Sequence, residues 1–386
     1  MNEWLIVPRD PLIFRDGKPF TATPGERANS LPFPYPSTLA GAVRTRSGTD
    51  LQKGFDDSRI SELLGKSIRG PILVELDSNG NIVEHYFPAP ADSLLVESKE
   101  PDQVLRYALV PINISNDSFT DLTELSLVGP NKQIKNKPSK NAPRFWKWSE
   151  IEAWLQGAGD STEAFDPKNL GLNELPQDRR THVSIDPMLQ ASRERALFQT
   201  SAVEFTHAIV NKENRLVEAR SLAIAFETDA VLTTGMGFLG GERRVAQWQE
   251  AKNALPGSEK ISVIKKQIEA SRSCRLILAS PAYFSNGHLP DYLTTKFGAK
   301  VVAAALSRYQ TISGWDYAKP NGGEPKPTRR LVPAGSVYFL NLEGVKDIDA
   351  FIEAVWLKAM SDDEQARRDG FGLALLGVWK NKEVKS

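Results

Sequence analysis

The 386-residue sequence holds one cysteine, Cys274, and four histidines. A lone thiol excludes a disulfide framework and any cysteine-built metal site, which fits a reducing compartment. Cys274 lies in an apolar run at 274–278 that reads as a strand, so the expectation is a small buried hydrophobe. No run of about 18 apolar residues occurs, so no membrane helix is expected. Residues 1–8 lack a basic segment followed by a long apolar one, so no signal peptide is expected and a cytoplasmic chain is. An excess of one charge sign is missing as well: 48 Lys and Arg balance 48 Asp and Glu. Attraction to nucleic acid must then come from local clusters of charge, because phosphate binding follows the local field.

Hydrophobic residues make up 40% and charged residues 25%, as in an ordinary globular protein. The length suits about two domains. Residues 4–7 read as a buried strand stopped by Pro8. The proline-rich stretch 31–36 must be extended, since each proline drives its predecessor out of the helical region. A helix follows over 37–44, with Ser37 or Thr38 as cap, Leu39, Ala42 and Val43 on one face, and Gly41 packed close to a neighbouring backbone. Residues 71–76 and 82–87 read as strands joined by a turn at 77–80. Ser149 with Glu152, and Ser361 with Glu364, have the capping-box spacing. Residues 181–186 and 197–210 read as arms of a long hairpin with a broad tip at 187–196. Strands are expected at 221–228, 274–280, 299–306 and 336–341, with helices near 243–254 and over 346–360. In the last of these, Ile348, Phe351, Ile352, Val355 and Ala359 form one stripe. Gly370 is expected to close the next short helix, and 318–330 is expected to be a mobile loop. The fold class expected is α+β, two ferredoxin-like (RRM-like) modules side by side over 1–215 and 216–386. The first carries large insertions (130–180) and a long β-hairpin (181–210).

Candidate chemistry is sparse. Gly235, Gly237 and Gly240 match G-x-G-x-x-G, the dinucleotide fingerprint whose amides cradle pyrophosphate. A long hairpin precedes the motif and charged sequence follows it, which disfavours a dinucleotide fold. A structural glycine turn, or a loop whose amides meet an RNA phosphate, suits it better. Lys132, Lys135, Lys137, Lys140, Arg144 and Lys147 run into Phe145, Trp146 and Trp148, a pattern for phosphate contact and base stacking. The alternative is a solvated loop with core tryptophans. Arg179, Arg180 and His182 lead into the hairpin, and Arg193 and Arg195 lie at its tip. A metal-independent ribonuclease needs an acid and a base close together. His182 is the best candidate among His85, His182, His207 and His288, yet no partner stands beside it in the sequence. No metal or cofactor motif is evident.

Five blocks, in order, resemble a known family. They are residues 8–20 followed by 33–44 (Phe-Pro-Tyr-Pro-Ser-Thr-Leu-Ala-Gly-Ala-Val-Arg), 185–187 with 197–198, 237–244 (Gly-Phe-Leu-Gly-Gly-Glu-Arg-Arg), 313–316 with 325–336, and 370–377 (Gly-Phe-Gly-Leu-Ala-Leu-Leu-Gly). Together they resemble the third RAMP subunit of the type III-B CRISPR (Cmr) effector complex. The resemblance implies a non-catalytic subunit that grips the 5′ handle of the crRNA. It also implies docking against the large polymerase/cyclase-like subunit and the backbone RAMP subunits. The RNA-contacting residues expected on that basis are Ser37, Thr38, Arg44, Arg46, Arg180, His182, Arg193, Arg195, Gly235, Gly237, Gly240, Gly241, Arg243, Arg244, Gly370 and Gly372. The start of the 37–44 helix would offer amides and a positive dipole end to phosphate. The glycines would let RNA approach the backbone, and the hairpin tip would insert at the handle–guide junction. The tip, residues 188–195, lacks the glycine that the family leads one to expect there. Two other readings are open: a metal-independent repeat-processing endoribonuclease of the same superfamily, and a scaffold that binds only proteins.

Overall fold

The computed structural model describes residues 1–15, 27–50, 52–112, 125–211, 213, 215–316, 319 and 323–379, with the side chains of residues 27, 28, 194 and 195 excepted. Residues 16–20 of the first family block, residues 318 and 320–322 of the expected loop, and the Arg195 side chain therefore lie outside the described residues.

The first strand, Asn2–Pro8, carries Trp4, Leu5 and Ile6 buried on both of its faces. A helix then runs Pro36–Gly48. Proline occupies its first position, where a missing N–H is harmless. Tyr35 before it is extended (φ −69°, ψ 153°), as the proline demands. Ser37 and Thr38 accordingly lie inside the first turn and no side chain caps it. Leu39, Ala40 and Val43 form the buried face. Gly41 points outward, with nothing within 4 Å of where a Cβ would sit, so the expected close packing is absent there.

One large sheet has the strand order 171–172, 145–147, 82–88, 68–76, 216–228, 2–8, 245–250, 235–238, with 206–210 also pairing 216–228. Its four central strands, 245–250, 2–8, 216–228 and 68–76, are antiparallel neighbours. They stand fourth, first, third and second in chain order. A second, four-stranded antiparallel sheet places 374–378, 273–278, 337–341 and 300–305 in the same fourth, first, third, second order. The strand Leu216–Thr228, expected at the head of the C-terminal module, thus pairs inside the first sheet, which runs on to Glu250.

Between the third and fourth strands the two sheets differ. The second has the helix Ile348–Val355, whose Ile348, Phe351, Ile352 and Val355 are buried as expected; Ala359 lies past its end. The first sheet has a β-hairpin, Gly235–Phe238 against Val245–Glu250, in place of the helix expected at 243–254. The reason is the period: Ala246 and Trp248 are buried while Val245, Gln247 and Gln249 are not, an alternation of two. Helices Ile261–Ser271 and Asp291–Phe297 escaped the sequence reading.

Neither capping box forms. Helix Trp148–Gln156 starts before Ser149, and Glu152 accepts from Ser258 Oγ at 2.7 Å. Asp363, accepting from the Ala366 amide at 2.7 Å, caps Glu364–Asp369, whereas Ser361 is buried and bonded to Tyr283 and Phe371. Gly370 does close that helix, at φ 97°. The 132–148 aromatics turn inward: Trp146 is 1% exposed and meets Trp154 edge-on at 6.0 Å. Lys132 pairs with Asp160 at 2.8 Å and Arg144 with Glu174 at 2.6 Å, so this run is a solvated loop over core tryptophans. Cys274 is buried, which pushes its thiol pKa up. No helix among the described residues is long and apolar enough to cross a membrane.

Candidate nucleic-acid interface

Three segments far apart in sequence meet at residues 10–15. The Gly241 amide donates to the Ile13 carbonyl at 2.7 Å, and the Val245 amide to Asp10 Oδ2 at 2.9 Å. Leu12 and Val203 exchange backbone hydrogen bonds at 2.9 and 2.7 Å. The opening block, the glycine loop and the root of the long hairpin are thereby one surface. Gly240 has a left-handed backbone (φ +79°), and a Cβ there would run into the Ile13 carbonyl. Only glycine meets both demands. We expect Gly240→Ala to cost about 1–3 kcal/mol, read as a lowered midpoint in denaturant unfolding; an unchanged midpoint would show that the two segments can separate freely.

The first helix joins the surface through Arg46. Its Nε donates to the Thr233 carbonyl at 2.8 Å, Nη1 to Met236 at 3.2 Å and Nη2 to Gly235 at 3.4 Å, while the guanidinium lies 5.1 Å from the Trp248 ring centroid. Partial burial lowers its pKa. A Cβ on Gly237 would strike the Arg46 guanidinium and Trp248. Gly237 is therefore glycine because a cation lies across it, whereas Gly235 is held to glycine by its positive φ of +121°. Arg46 positions the loop, and its donors are already engaged with carbonyls.

The loop tip carries the accessible charge. Glu242 and Arg243 both adopt left-handed backbone (φ +58° and +50°). Arg243 is exposed and stacks on Phe238 at 4.9 Å; Arg15 reaches Glu242 at 2.6 Å. Arg244 is half-buried, and its Nε, shielded from solvent, has no hydrogen-bond partner among the described residues.

The hairpin pairs Gln177–Asp186 with Ala191–Val203. It projects roughly 30 Å at ~3.4 Å per residue. Its tip is narrow, a turn at 187–190, and not the broad loop expected. Asp186 builds it by accepting from the Met188 and Leu189 amides at 2.9 and 3.1 Å. Gln190 takes the left-handed conformation (φ +52°) in the absence of the glycine expected there. Met188 (89% exposed) and Leu189 (76%) crown it, an apolar wedge where basic side chains were expected to dominate. Arg193 lies 3.8 Å from Asp186, and Arg180 pairs with Asp178 at 2.8 Å. His182 bonds Thr200 Oγ1 at 2.9 Å and stacks on Phe198 at 5.2 Å, so it has no acid–base partner among the described residues.

Three expected contact residues have structural work elsewhere. Arg44 bonds the Leu63 and Lys66 carbonyls and pairs with Asp369 at 2.7 Å, largely out of solvent. Gly370 and Gly372 are buried: a Cβ would meet the Gly70 carbonyl at 2.7 Å in one case and the Ser361 amide at 2.8 Å in the other. Gly370 thereby lets the C-terminal loop pack on the strand 68–76 of the first sheet, and Gly372 lets it pack on residues 360–361.

An acid–base pair that the sequence concealed is Glu75 and His207. His207 Nδ1 lies 2.8 Å from Glu75 Oε2, Tyr86 Oη donates to the same oxygen at 2.9 Å, and Arg220 Nη1 to Oε1 at 2.8 Å. Burial pushes the Glu75 carboxyl up, but the hydrogen bonds from His207, Arg220 and Tyr86 outweigh it and hold the pKa at about 2, since bonds to the charged form favour it. Glu75 thus stays ionised at neutral pH and anchors strands rather than giving up a proton. His85 bonds the Asn253 carbonyl at 2.8 Å and burial lowers its pKa. Among the described residues no group of three His, Cys, Asp or Glu could hold a metal ion.

No curated protein matches the chain. Two solved chains from the type III-B Cmr-beta complex bound to cognate target RNA are similar. One, with AMPPnP, is 16% identical over 87% of this chain and 86% of its own, with a TM-score of 0.45. The other is 15% identical over 96% and 95%, with a TM-score of 0.48. A chain of the Csm3–Csm4 subcomplex of the type III-A interference complex is 11% identical over 90% and 96%, with a TM-score of 0.32. The family model of the CRISPR-associated protein (Cas_Cmr3) matches residues 4–379, nearly the whole length, and the chain belongs to that family of type III-B Cmr subunits.

Proposed function

We propose that this subunit holds the crRNA by its 5′ handle and performs no chemistry itself. The observation that supports this best is the single surface formed by residues 10–15, the 235–244 loop and the hairpin root. Phe238 is 49% exposed there and supplies a stacking face. Arg243 and Arg244 supply phosphate contacts beside it, the pairing of ring and cation that single strands need. The Met188–Leu189 tip acts as a wedge between stacked bases at the end of the handle. The large polymerase/cyclase-like subunit and the backbone RAMP subunits are the proposed protein neighbours. The matching strand orders support two ferredoxin-like modules, with the division between Glu250 and Ile261 rather than at 216.

Replacing Arg243 and Arg244 together by alanine is expected to weaken handle binding in the assembled complex and to lower the salt slope of log K by about one to two. Unchanged crRNA retention would defeat the proposal. Crosslinking with a photoreactive 5′ handle tests the alternatives: a pure scaffold gives no adducts at 235–244. A repeat-processing nuclease would cut isolated repeat RNA without metal and lose that activity in His182→Ala or His207→Ala.

A further inference from the structure

A cleft of about 540 Å³ opens between the two sheets, at the opposite end of the first helix from Arg46. That volume lies in the range of small-ligand pockets. Its walls include Phe33, Tyr35 and Phe145, and Phe33 meets Phe145 edge-on at 5.7 Å. At its mouth stands Arg308, exposed, with no carboxylate or ring partner among the described residues. The short ribbon pairing Gln310–Ile312 with Arg329–Leu331 follows it in the chain. Tyr309 (50% exposed) lies beneath the Arg330 guanidinium at 4.9 Å, and Trp315, three residues past Ile312 in the chain, is 48% exposed. Cations interleaved with exposed rings beside an aromatic-walled cleft suit unpaired nucleotides: rings stack bases, and guanidinium groups take phosphates.

We propose that this cleft receives one unpaired RNA base, with the flanking phosphates on Arg308 and Arg330, as a second holding point on the strand gripped at the glycine loop. The inference rests on the RNA-holding function proposed above. Of these residues only Phe145 falls in the basic and aromatic run that the sequence marks out. Eight of the cleft-lining residues are proline, which has no N–H, so the backbone there is short of donors and offers carbonyl acceptors. An adenine, with its exocyclic amino group and larger stacking face, fits such a wall better than uracil. Pro36 and Arg46 are ten residues apart on one helix, about 15 Å along its axis. The helix alone is spanned by four to five nucleotides at ~3.4 Å per stacked nucleotide, so the two holding points require at least that length of strand.

The test uses eight-nucleotide single-stranded RNAs carrying one abasic position moved along the strand, bound to the full chain and to its assembled complex. One position, separate from that protected by Arg243, should weaken binding about five- to hundredfold when its base is removed. Uracil there should bind less well than adenine. Ser307→Trp, at an exposed lining residue, should fill the cleft and abolish the penalty at that position. Arg308→Ala should lower the salt slope by about one. A flat abasic scan with Arg243 and Arg244 still required overturns the cleft proposal and leaves the RNA-holding function intact. A protein segment of a partner crosslinked to Phe33 or Arg308 overturns it too. Loss of all RNA binding sensitivity at both places defeats both proposals.

Discussion

Arg275→Ala is expected to destabilise the protein by about 3–5 kcal/mol, a large share of the roughly 5–15 kcal/mol that a folded protein typically has. Arg275 and Asp92 are 2% and 0% exposed, and Nη1 lies 2.5 Å from Oδ2. Nη2 also donates to the Trp154 carbonyl at 2.5 Å and Nε to Val378 at 3.0 Å, while Trp154 Nε1 donates to Asp92 at 2.8 Å. This knot ties the second sheet, through Ser273–Leu278, to Asp92 and to the helix Trp148–Gln156 of the first half. Truncating the arginine leaves a carboxylate buried without its charge partner, and that desolvation cost is what the measurement reads. The thermal midpoint should fall by on the order of 10 °C. Arg275→Met combined with Asp92→Leu should recover much of the loss, because an apolar pair removes both charges together. A single-variant loss below about 1 kcal/mol would show that Asp92 reaches water.

Acid should act through Glu75. Its folded pKa is about 2, below the unfolded value of ~4.3. A depressed carboxylate stabilises the fold fully above the unfolded pKa, and that contribution is lost as pH falls through the folded one. The window therefore runs from about pH 5 down to 2, and the amount is on the order of 3 kcal/mol. Glu75→Gln keeps the shape but gives up the charge that His207 and Arg220 face. It should be less stable at pH 7 by a similar amount and show a flatter stability profile between about pH 5 and 2. Equal pH profiles for the two proteins in urea unfolding would rule this out.

Much of the strand framework was legible. Residues 4–7, 71–76, 82–87, 221–228, 274–280 and 336–341 are apolar runs bounded by turn residues, and each falls on a strand. The helix Ile348–Val355 was legible because its stripe repeats every three to four residues. The 243–254 region is a strand and not the expected helix because its burial alternates residue by residue from Val245 to Gln249, and burial depends on what packs against it. One capping box failed because Asp363 caps its helix instead, and the other because the helix starts at Trp148, ahead of Ser149, with no side-chain cap.

The sequence by itself determined the family, since ordered blocks survive in the order of residues whatever their contacts. It also determined where glycine and proline forbid ordinary backbone, as at Pro36 and Gly370. Which arginines keep free donors was decided only by the tertiary structure. Arg44 and Arg46 look as available as Arg243 in the sequence, yet their donors are taken by carbonyls contributed from residues 63–66 and 233–236. Whether a cation is free depends on partners brought up by chain folding from tens to hundreds of residues away, and no local pattern encodes that.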